Sequence, residues 1–162
     1  MKVLIIDDEK SIRMALKDIL EDEGHEVALA EDGKKGLEQA LANNFDVIFC
    51  DIKMPGMDGV EVLDKLVAEG VESSVVMISG HGSIDTAVEC IKKGAFDFIQ
   101  KPPDLNRILI TLKNASEKTS IVKENKTLKK KISGTGVQEI IGNSPAINQV
   151  KSIIDKVAPT DA

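Results

Sequence analysis

The chain has 162 residues, 42% of them hydrophobic, which is enough for one domain of common size and an appendage. The net charge of −6 argues against binding to nucleic-acid phosphates, and an aromatic content of 2% leaves few residues for base stacking. We find no signal-peptide pattern and no apolar stretch long enough to span a bilayer. We therefore expect a cytoplasmic protein with no membrane partner.

Short apolar runs alternate with helical patterns along the chain. Strands are predicted near 2–6, 26–30, 46–50, 74–78 and 96–100, and helices near 10–22, 34–42, 59–69, 84–93 and 104–132. Strands separated by helices indicate βαβ units and a parallel sheet. Continuously apolar strands fit a sheet that is covered on both faces.

The last predicted helix is unusually long, because no proline or glycine occurs from Asp104 to Ile132. Its downstream part carries a stripe with 4-3-4 spacing, formed by Ile121, Asn125, Leu128 and Ile132. An asparagine at an a position favours a parallel two-stranded coiled coil in fixed register, so a homodimer is predicted. The alternative is a solvated amphipathic linker helix. The lysine-rich segment 123–131 is interpreted as a solvated flank rather than as a nucleic-acid patch.

Beyond this helix, Ser133 to Gly136 form a predicted hinge, and Ser144-Pro145 is a helix-start signal. The residues after Pro145 form one amphipathic helical pattern. Since one such helix cannot bury its own apolar face, we expect residues 137–162 to be the opening of a second domain.

Acidic residues follow two of the predicted strands: Asp7 and Asp8 after the first, and Asp51 after the third. Ser79 and Lys101 follow the fourth and fifth. Because ligands bind outside the carboxyl ends of the strands in open α/β sheets, these five side chains are expected to form one site. Clustered carboxylates favour a hard cation such as Mg²⁺, and a carboxylate on such an ion can attack a phosphoryl group. Ser79 and Lys101 could contact the phosphoryl oxygens.

Each residue also has a simpler interpretation. Asp7-Asp8-Glu9 could be a helix cap, Asp51 a solvated strand end, and Lys101 a surface lysine. Their joint occurrence at successive strand ends favours a site. The two cysteines, Cys50 and Cys90, are interpreted as core thiols, with a redox switch at Cys50 as the alternative.

The motifs resemble the receiver domain of two-component response regulators over residues 1–120. They are Ile-Ile-Asp7-Asp8-Glu9, Asp51-Ile-Lys-Met-Pro55-Gly-Met-Asp-Gly59, Ser79-Gly-His-Gly and Phe98-Ile-Gln-Lys101-Pro102. The resemblance implies a flavodoxin-like (βα)₅ fold with a five-stranded parallel sheet, followed by a helical linker.

The resemblance also implies roles for individual residues. Asp51 would accept a phosphoryl group from a sensor histidine kinase, and Asp7 and Asp8 would organise Mg²⁺ together with Asp51 and the backbone carbonyl of Lys53. In the same way, Ser79 and Phe98 would form a switch pair, and Lys101 would contact the phosphoryl group.

The tail is similar to the first residues of the AAA+ ATPase domain of NtrC-family sigma-54 activators, through Ile141-Gly142-Asn143-Ser144-Pro145-Ala146 and Val157-Ala158-Pro159. The expected organisation is a receiver at 1–120, a coiled-coil and hinge linker at 121–136, and an AAA+ fragment at 137–162. No G-x-x-x-x-G-K-[ST] phosphate loop occurs in this sequence. Sigma-54 RNA polymerase and DNA would therefore be partners only of further domains.

Two other functions compete with a phosphoacceptor switch that controls ATPase assembly through dimer packing. One is an aspartyl-phosphate hydrolase, but such enzymes need an acid/base carboxylate two residues after the nucleophile, where this chain has Lys53. The other is a structural dimerisation module whose acidic residues are only helix caps.

Overall fold

Strands and helices alternate strictly, as the sequence predicts. The computed structural model describes residues 1–80 and 83–134, with side chains up to Ile121. The elements are β1 (Lys2–Ile6), α1 (Lys10–Asp22), β2 (Glu26–Ala30), α2 (Gly33–Ala42), β3 (Val47–Asp51), α3 (Gly59–Ala68), β4 (Ser74–Ser79), α4 (Ile84–Lys92), β5 (Asp97–Gln100) and α5 (Leu105–Gly134). The predicted alternation is confirmed, although β3 ends on Asp51 and β4 on Ser79 rather than before them.

The five strands form one parallel sheet in the order β2-β1-β3-β4-β5, so the predicted flavodoxin-like (βα)₅ fold is confirmed. In this order the chain reverses direction across the sheet between β1 and β3. Ligand sites of doubly wound folds lie at such a switch point, outside the carboxyl ends of the strands. The residues that follow β1 and those that end β3 are therefore neighbours at the carboxyl end of the sheet, where a ligand can approach.

The strands alternate their side chains between two apolar layers, as the pleat requires. In β1, Val3 and Ile5 pack in one layer with buried residues of α1 and α5. Leu4 and Ile6 pack in the other, with buried residues of α2, α3 and α4. A sheet covered on both faces explains why the strands are continuously apolar rather than alternating with polar residues.

Helix α5 packs on the sheet through its upstream apolar residues. Ile108, Leu112 and Ala115 are buried at 1% exposure or less, whereas Ile121 is 59% exposed. Ile121, the first residue of the predicted stripe, is therefore not part of this buried face. The side chains of Asn125, Leu128 and Ile132, and all of the predicted AAA+ fragment at 137–162, lie outside the described residues.

A buried polar cluster fastens α5 to the end of the sheet opposite the acidic residues. Thr119 Oγ1 lies 2.9 Å from Ser74 Oγ and donates to the main-chain oxygens of Ala115, at 3.0 Å, or Asp46, at 3.2 Å. Thr119 is only 2% exposed. The cluster ties the first residue of β4 and the residue before β3 to one turn of α5.

Replacing the Thr119 hydroxyl by a methyl group in Thr119→Val should lower the free energy of unfolding by about 0.5–1.5 kcal/mol. The reason is that Ser74 and the Asp46 carbonyl lose a buried hydrogen-bond partner while the volume stays nearly constant. Chemical denaturation measures the change. Ser120→Ala, at the exposed neighbouring position, is the matched control and should change stability by no more than about 0.5 kcal/mol. Equal stabilities of the two variants would contradict this account of the cluster.

Candidate functional site

Three carboxylates meet at the switch point of the sheet. Asp51 is the last residue of β3 and is 4% exposed, and Asp7, directly after β1, is 1% exposed. Asp8 is exposed at the rim. One oxygen from each lies within 4.8 Å of the others. The structure thus brings together the three acidic residues that the sequence predicted to share a site.

Lys101 supplies the positive charge at this cluster. Its Nζ lies 2.8 Å from Asp7 Oδ2, 3.3 Å from Asp51 Oδ1 and 3.3 Å from Glu9 Oε1, and its side chain is 10% exposed. The backbone fixes its root, since the Lys101 N–H donates to the Ser79 carbonyl at 2.8 Å. A single ammonium leaves the group of four carboxylates with a clear excess of negative charge.

The loop between β1 and α1 holds Asp7 in two ways. Asp7 Oδ1 accepts the Glu9 N–H at 2.8 Å within the loop, whereas Glu9, the N-cap residue of α1, makes no side-chain cap hydrogen bond. Asp7 Oδ2 is buried, and among the described residues its one polar contact is the charge-assisted contact with the Lys101 ammonium. Because its one contact is with a lysine side chain, this oxygen is available as a metal ligand.

The donor set fits a hard dication. It consists of carboxylate oxygens, with no sulfur or imidazole among the clustered groups, and such oxygens are the ligands that Mg²⁺ and Ca²⁺ prefer. An exposed Asp8 beside two buried carboxylates leaves one side of the cluster open to solvent, where Mg²⁺ can keep the water ligands it releases reluctantly.

Burial and charge shift the pKa values of this cluster. Burial raises the pKa of the Asp51 carboxyl above its ordinary value, the Lys101 ammonium partly offsets the rise, and the charge of Asp7 adds to it. Burial alone would lower the pKa of Lys101, but its hydrogen bond to Asp7 and the charges of Asp7 and Asp51 outweigh this effect, so the pKa of Lys101 is raised. The ammonium is therefore fully charged at neutral pH.

The β3–α3 loop folds back closely on Asp51. The Gly59 N–H donates to the Ile52 carbonyl at 2.9 Å, and a Cβ at Gly59 would lie 2.0 Å from the Asp51 carbonyl oxygen. Only glycine permits this approach. Asp58 then caps α3 in a capping box with Glu61. Lys53, whose carbonyl was predicted as a metal ligand, is an exposed residue of this loop.

The two residues predicted as a switch pair lie on neighbouring strands. Ser79 ends β4 and is 2% exposed. Phe98 is partly buried in β5 and packs against the apolar layer that contains Cys90 and Ala95. The strand register pairs Met77 with Phe98 and Ser79 with Gln100, which places Phe98 two pairs from the carboxyl end where Ser79 lies.

Two residues of this site are not predicted from the sequence. Glu9 was assigned only to a cap pattern, yet it pairs with Lys101. Arg13 is 9% exposed and donates from Nη1 to the Asp7 carbonyl at 2.6 Å. A signal was present for Arg13, because it shares the 3-4 spaced buried stripe of α1 with Leu16 and Leu20, where an apolar residue is expected.

Both cysteine side chains are fully buried, and neither forms a disulfide bond. Burial and the charge of Asp51 raise the pKa of Cys50, and burial likewise raises the pKa of Cys90. Because the reactive form of cysteine is the thiolate, these environments favour core thiols over the alternative of a redox switch at Cys50.

Comparison with known families gives one match that covers most of the chain. Residues 3–113 match the family described as "Response regulator receiver domain". The matched range begins at the second residue of β1 and ends in the first third of α5, so it contains nearly all of the sheet and the acidic cluster.

Among curated proteins, the chain is 40% identical over 162 residues to the nitrogen assimilation regulatory protein NtrX of Azorhizobium caulinodans. It is 34% identical over 160 residues to the transcriptional regulatory protein ZraR of Klebsiella oxytoca. Each alignment covers 99% of this chain but 35% of the relative. The chain therefore spans about a third of the length of the curated relatives that it matches.

Two solved structures are also similar to this chain. A crystal structure of NtrX from Brucella abortus aligns with a TM-score of 0.73 at 39% identity, over 98% of this chain and 35% of that one. A response regulator receiver domain from Clostridium thermocellum aligns with a TM-score of 0.71 at 32% identity, over 75% of this chain and 98% of that one.

Removing the Asp51 charge should stabilise the metal-free fold at neutral pH. An acid whose pKa is raised by folding holds its proton more tightly in the folded state, so ionisation costs stability above that raised pKa and nothing below the ordinary value near about 4. We expect Asp51→Asn to have a higher Tm than the wild type at pH 7 in EDTA, with the gap closing as the pH falls below about 4.

Thermal denaturation across this pH range measures the gap. Asp18→Asn, which changes an exposed carboxylate of α1, is the control and should shift Tm little at either pH. Excess Mg²⁺ should narrow the gap, because a ligand that binds the folded state stabilises it. A lower Tm for Asp51→Asn than for the wild type at pH 7 in EDTA would contradict the account.

Proposed function

Since the chain belongs to the family of response regulator receiver domains, we propose that Asp51 accepts a phosphoryl group from a sensor histidine kinase. Receiver domains of this family act as phosphoacceptor switches rather than as turning-over enzymes. The observation that carries the assignment to Asp51 is its position as a buried strand-end carboxylate, 3.3 Å from an ammonium and clustered with Asp7 and Asp8.

In the proposed step, an Asp51 oxygen forms a bond to phosphorus while the bond from phosphorus to the donor breaks and its electron pair leaves with the donor. The carboxylate must be ionised to attack, which the neighbouring ammonium of Lys101 favours. Lys101 then contacts a phosphoryl oxygen instead of one of its carboxylate partners. The Ser79 hydroxyl, at the end of the adjacent strand, donates to another phosphoryl oxygen.

Receiver domains bind Mg²⁺ at an acidic pocket, and here the pocket is the cluster of Asp7, Asp8 and Asp51. We assign these carboxylates and the Lys53 carbonyl as ligands. When bound, the ion neutralises charge on the transferring phosphoryl oxygens. The open side at Asp8 gives the ion an entry path.

The switch would follow from the added charge. A phosphoryl group brings about −1.5 to −2 charges at pH 7. The Ser79 hydroxyl then turns toward the phosphoryl group, and the Phe98 ring turns inward behind it. The partial burial of Phe98 supports this role, because a ring that is not yet fully packed can become more buried when it turns inward.

The output would lie in parts of the protein beyond the receiver. The relatives are about three times as long as this chain, and ZraR is named as a transcriptional regulatory protein. The Brucella NtrX structures include complexes with ADP and ATP. We propose a receiver at 1–120, a dimeric linker at 121–136 and the start of an AAA+ domain at 137–162. Phosphorylation would alter dimer packing and so control ATPase assembly for sigma-54-dependent transcription.

We also propose a cytoplasmic location, where such a kinase could reach the receiver. In residues 1–80 and 83–134, no helix has the length and apolar character to cross a membrane. Contacts with sigma-54 RNA polymerase and DNA would belong to the further domains.

Incubation with acetyl phosphate and Mg²⁺ should add one phosphate per chain, detected by intact-mass spectrometry. Asp51→Asn should abolish it, and EDTA should prevent it. Lys101→Met should slow labelling by about 10²-fold, since one donor to the transferring group is lost. Lys92→Met, an exposed lysine at the end of α4, is the matched control and should label at the wild-type rate.

The same experiment separates the competing functions. Continuous release of phosphate over many turnovers would indicate a hydrolase instead. Wild-type protein that is not labelled, or labelling that persists in Asp51→Asn, would refute the phosphoacceptor assignment.

The linker proposal rests on the 4-3-4 stripe and on the exposure of Ile121. Leu128→Ser removes a predicted d-position leucine and should shift the chain toward monomer in light scattering. Thr127→Ser, at the neighbouring c position, is the control and should keep the dimer. Equal masses for the two variants, whether both monomeric or both dimeric, would contradict a coiled coil through this stripe.

A further inference from the structure

Arg13 is a buried cation that pairs with a backbone carbonyl at the site. Its side chain is 9% exposed, and Nη1 donates to the Asp7 main-chain oxygen at 2.6 Å. Burial of a guanidinium is costly unless its hydrogen bonds compensate. Burying Arg13 therefore costs free energy, and the hydrogen bond that offsets this cost goes to the loop that carries two predicted metal ligands.

The held carbonyl belongs to the peptide unit between Asp7 and Asp8. Because that unit is planar, fixing its oxygen also fixes the direction in which the chain enters Asp8. The position of the Asp8 carboxylate depends on this hydrogen bond more than that of Asp7 does. Asp7 has its own bonds to Glu9 and Lys101, whereas no hydrogen bond or ion pair holds the Asp8 carboxylate in the described part of the chain.

We propose that Arg13 is a positioning residue for the divalent-cation site: it holds the Asp7–Asp8 peptide so that the exposed Asp8 carboxylate stays within reach of the ion bound by Asp7 and Asp51. This inference rests on the proposed function only in taking these three carboxylates as the Mg²⁺ ligands. It adds a residue of α1 that supports the ligand set without touching the ion.

Removing Arg13 should change the Mg²⁺ affinity in opposite directions, depending on whether Arg13 acts mainly through its charge or by positioning Asp8. A nearby positive charge repels a dication, so removing it would tighten Mg²⁺ binding if charge were the main effect. Loss of a support behind the ligands typically weakens metal affinity by about 10- to 100-fold. The direction of the change therefore identifies the role.

Calorimetric titration with Mg²⁺, without any phosphodonor, tests the proposal. Arg13→Met should bind Mg²⁺ at least about 10-fold more weakly than the wild type. Arg13→Gln, which keeps a neutral donor, should fall between the two. Lys10→Met removes an exposed cation from the first turn of the same helix, and should leave the affinity unchanged or slightly tighter.

Affinity equal to or tighter than wild type in Arg13→Met would overturn the proposal. If Arg13→Met does not fold, Arg13→Gln decides alone: weaker binding supports positioning, and equal or tighter binding overturns it. The proposed function fails separately. Wild-type protein that binds Mg²⁺ but is never labelled at Asp51 would refute phosphoacceptance without contradicting the role of Arg13. Normal labelling at Asp51, together with a Mg²⁺ affinity of Arg13→Met equal to that of the wild type, would refute the role of Arg13 without contradicting phosphoacceptance.

Discussion

The contact of the Lys101 ammonium with Asp7 and Asp51 is the interaction on which the site depends. The sheet order brings the ends of β1 and β3 together, so their carboxylates cannot move apart when they ionise. In a buried site such charges persist only if a cation compensates them. Lys101 does this at 2.8 and 3.3 Å. Because one ammonium does not neutralise the cluster, the arrangement remains receptive to a dication and to phosphoryl chemistry.

The rest of the fold holds this unfavourable cluster in place. Two apolar layers fix the sheet, and the close approach of Gly59 to the Asp51 carbonyl sets the path of the next loop. The raised pKa of Asp51 shows the consequence, since the protein keeps a carboxylate where burial disfavours its charge. The charged site lowers the stability of the fold. The two apolar layers and the buried hydrogen bonds of residues such as Thr119 compensate for this loss. This distribution is usual for functional sites.

Much of this could be predicted from the sequence because its signals are local. Apolar runs followed by Asp7 or ending in Asp51 marked both the strands and the site, and a parallel sheet placed these residues at the same end of the strands. Glu9 and Arg13 could not be assigned in this way, since their roles depend on where α1 places its first turns relative to Lys101 and the Asp7 carbonyl. The contact of Thr119 with Ser74 joins residues that are far apart in sequence and needs the three-dimensional packing of α5. Asn125 and its stripe remain a prediction from pattern.

The most direct test of the central claim is a crystal structure with Mg²⁺ and beryllofluoride, a mimic of the phosphoryl group. We expect beryllium bonded to an Asp51 oxygen, Mg²⁺ held by Asp7, Asp8 and Asp51, and Lys101 Nζ moved from its carboxylate partners to a fluorine. Lys101 still bridging Asp7 and Asp51, with the mimic bound elsewhere or not at all, would contradict it.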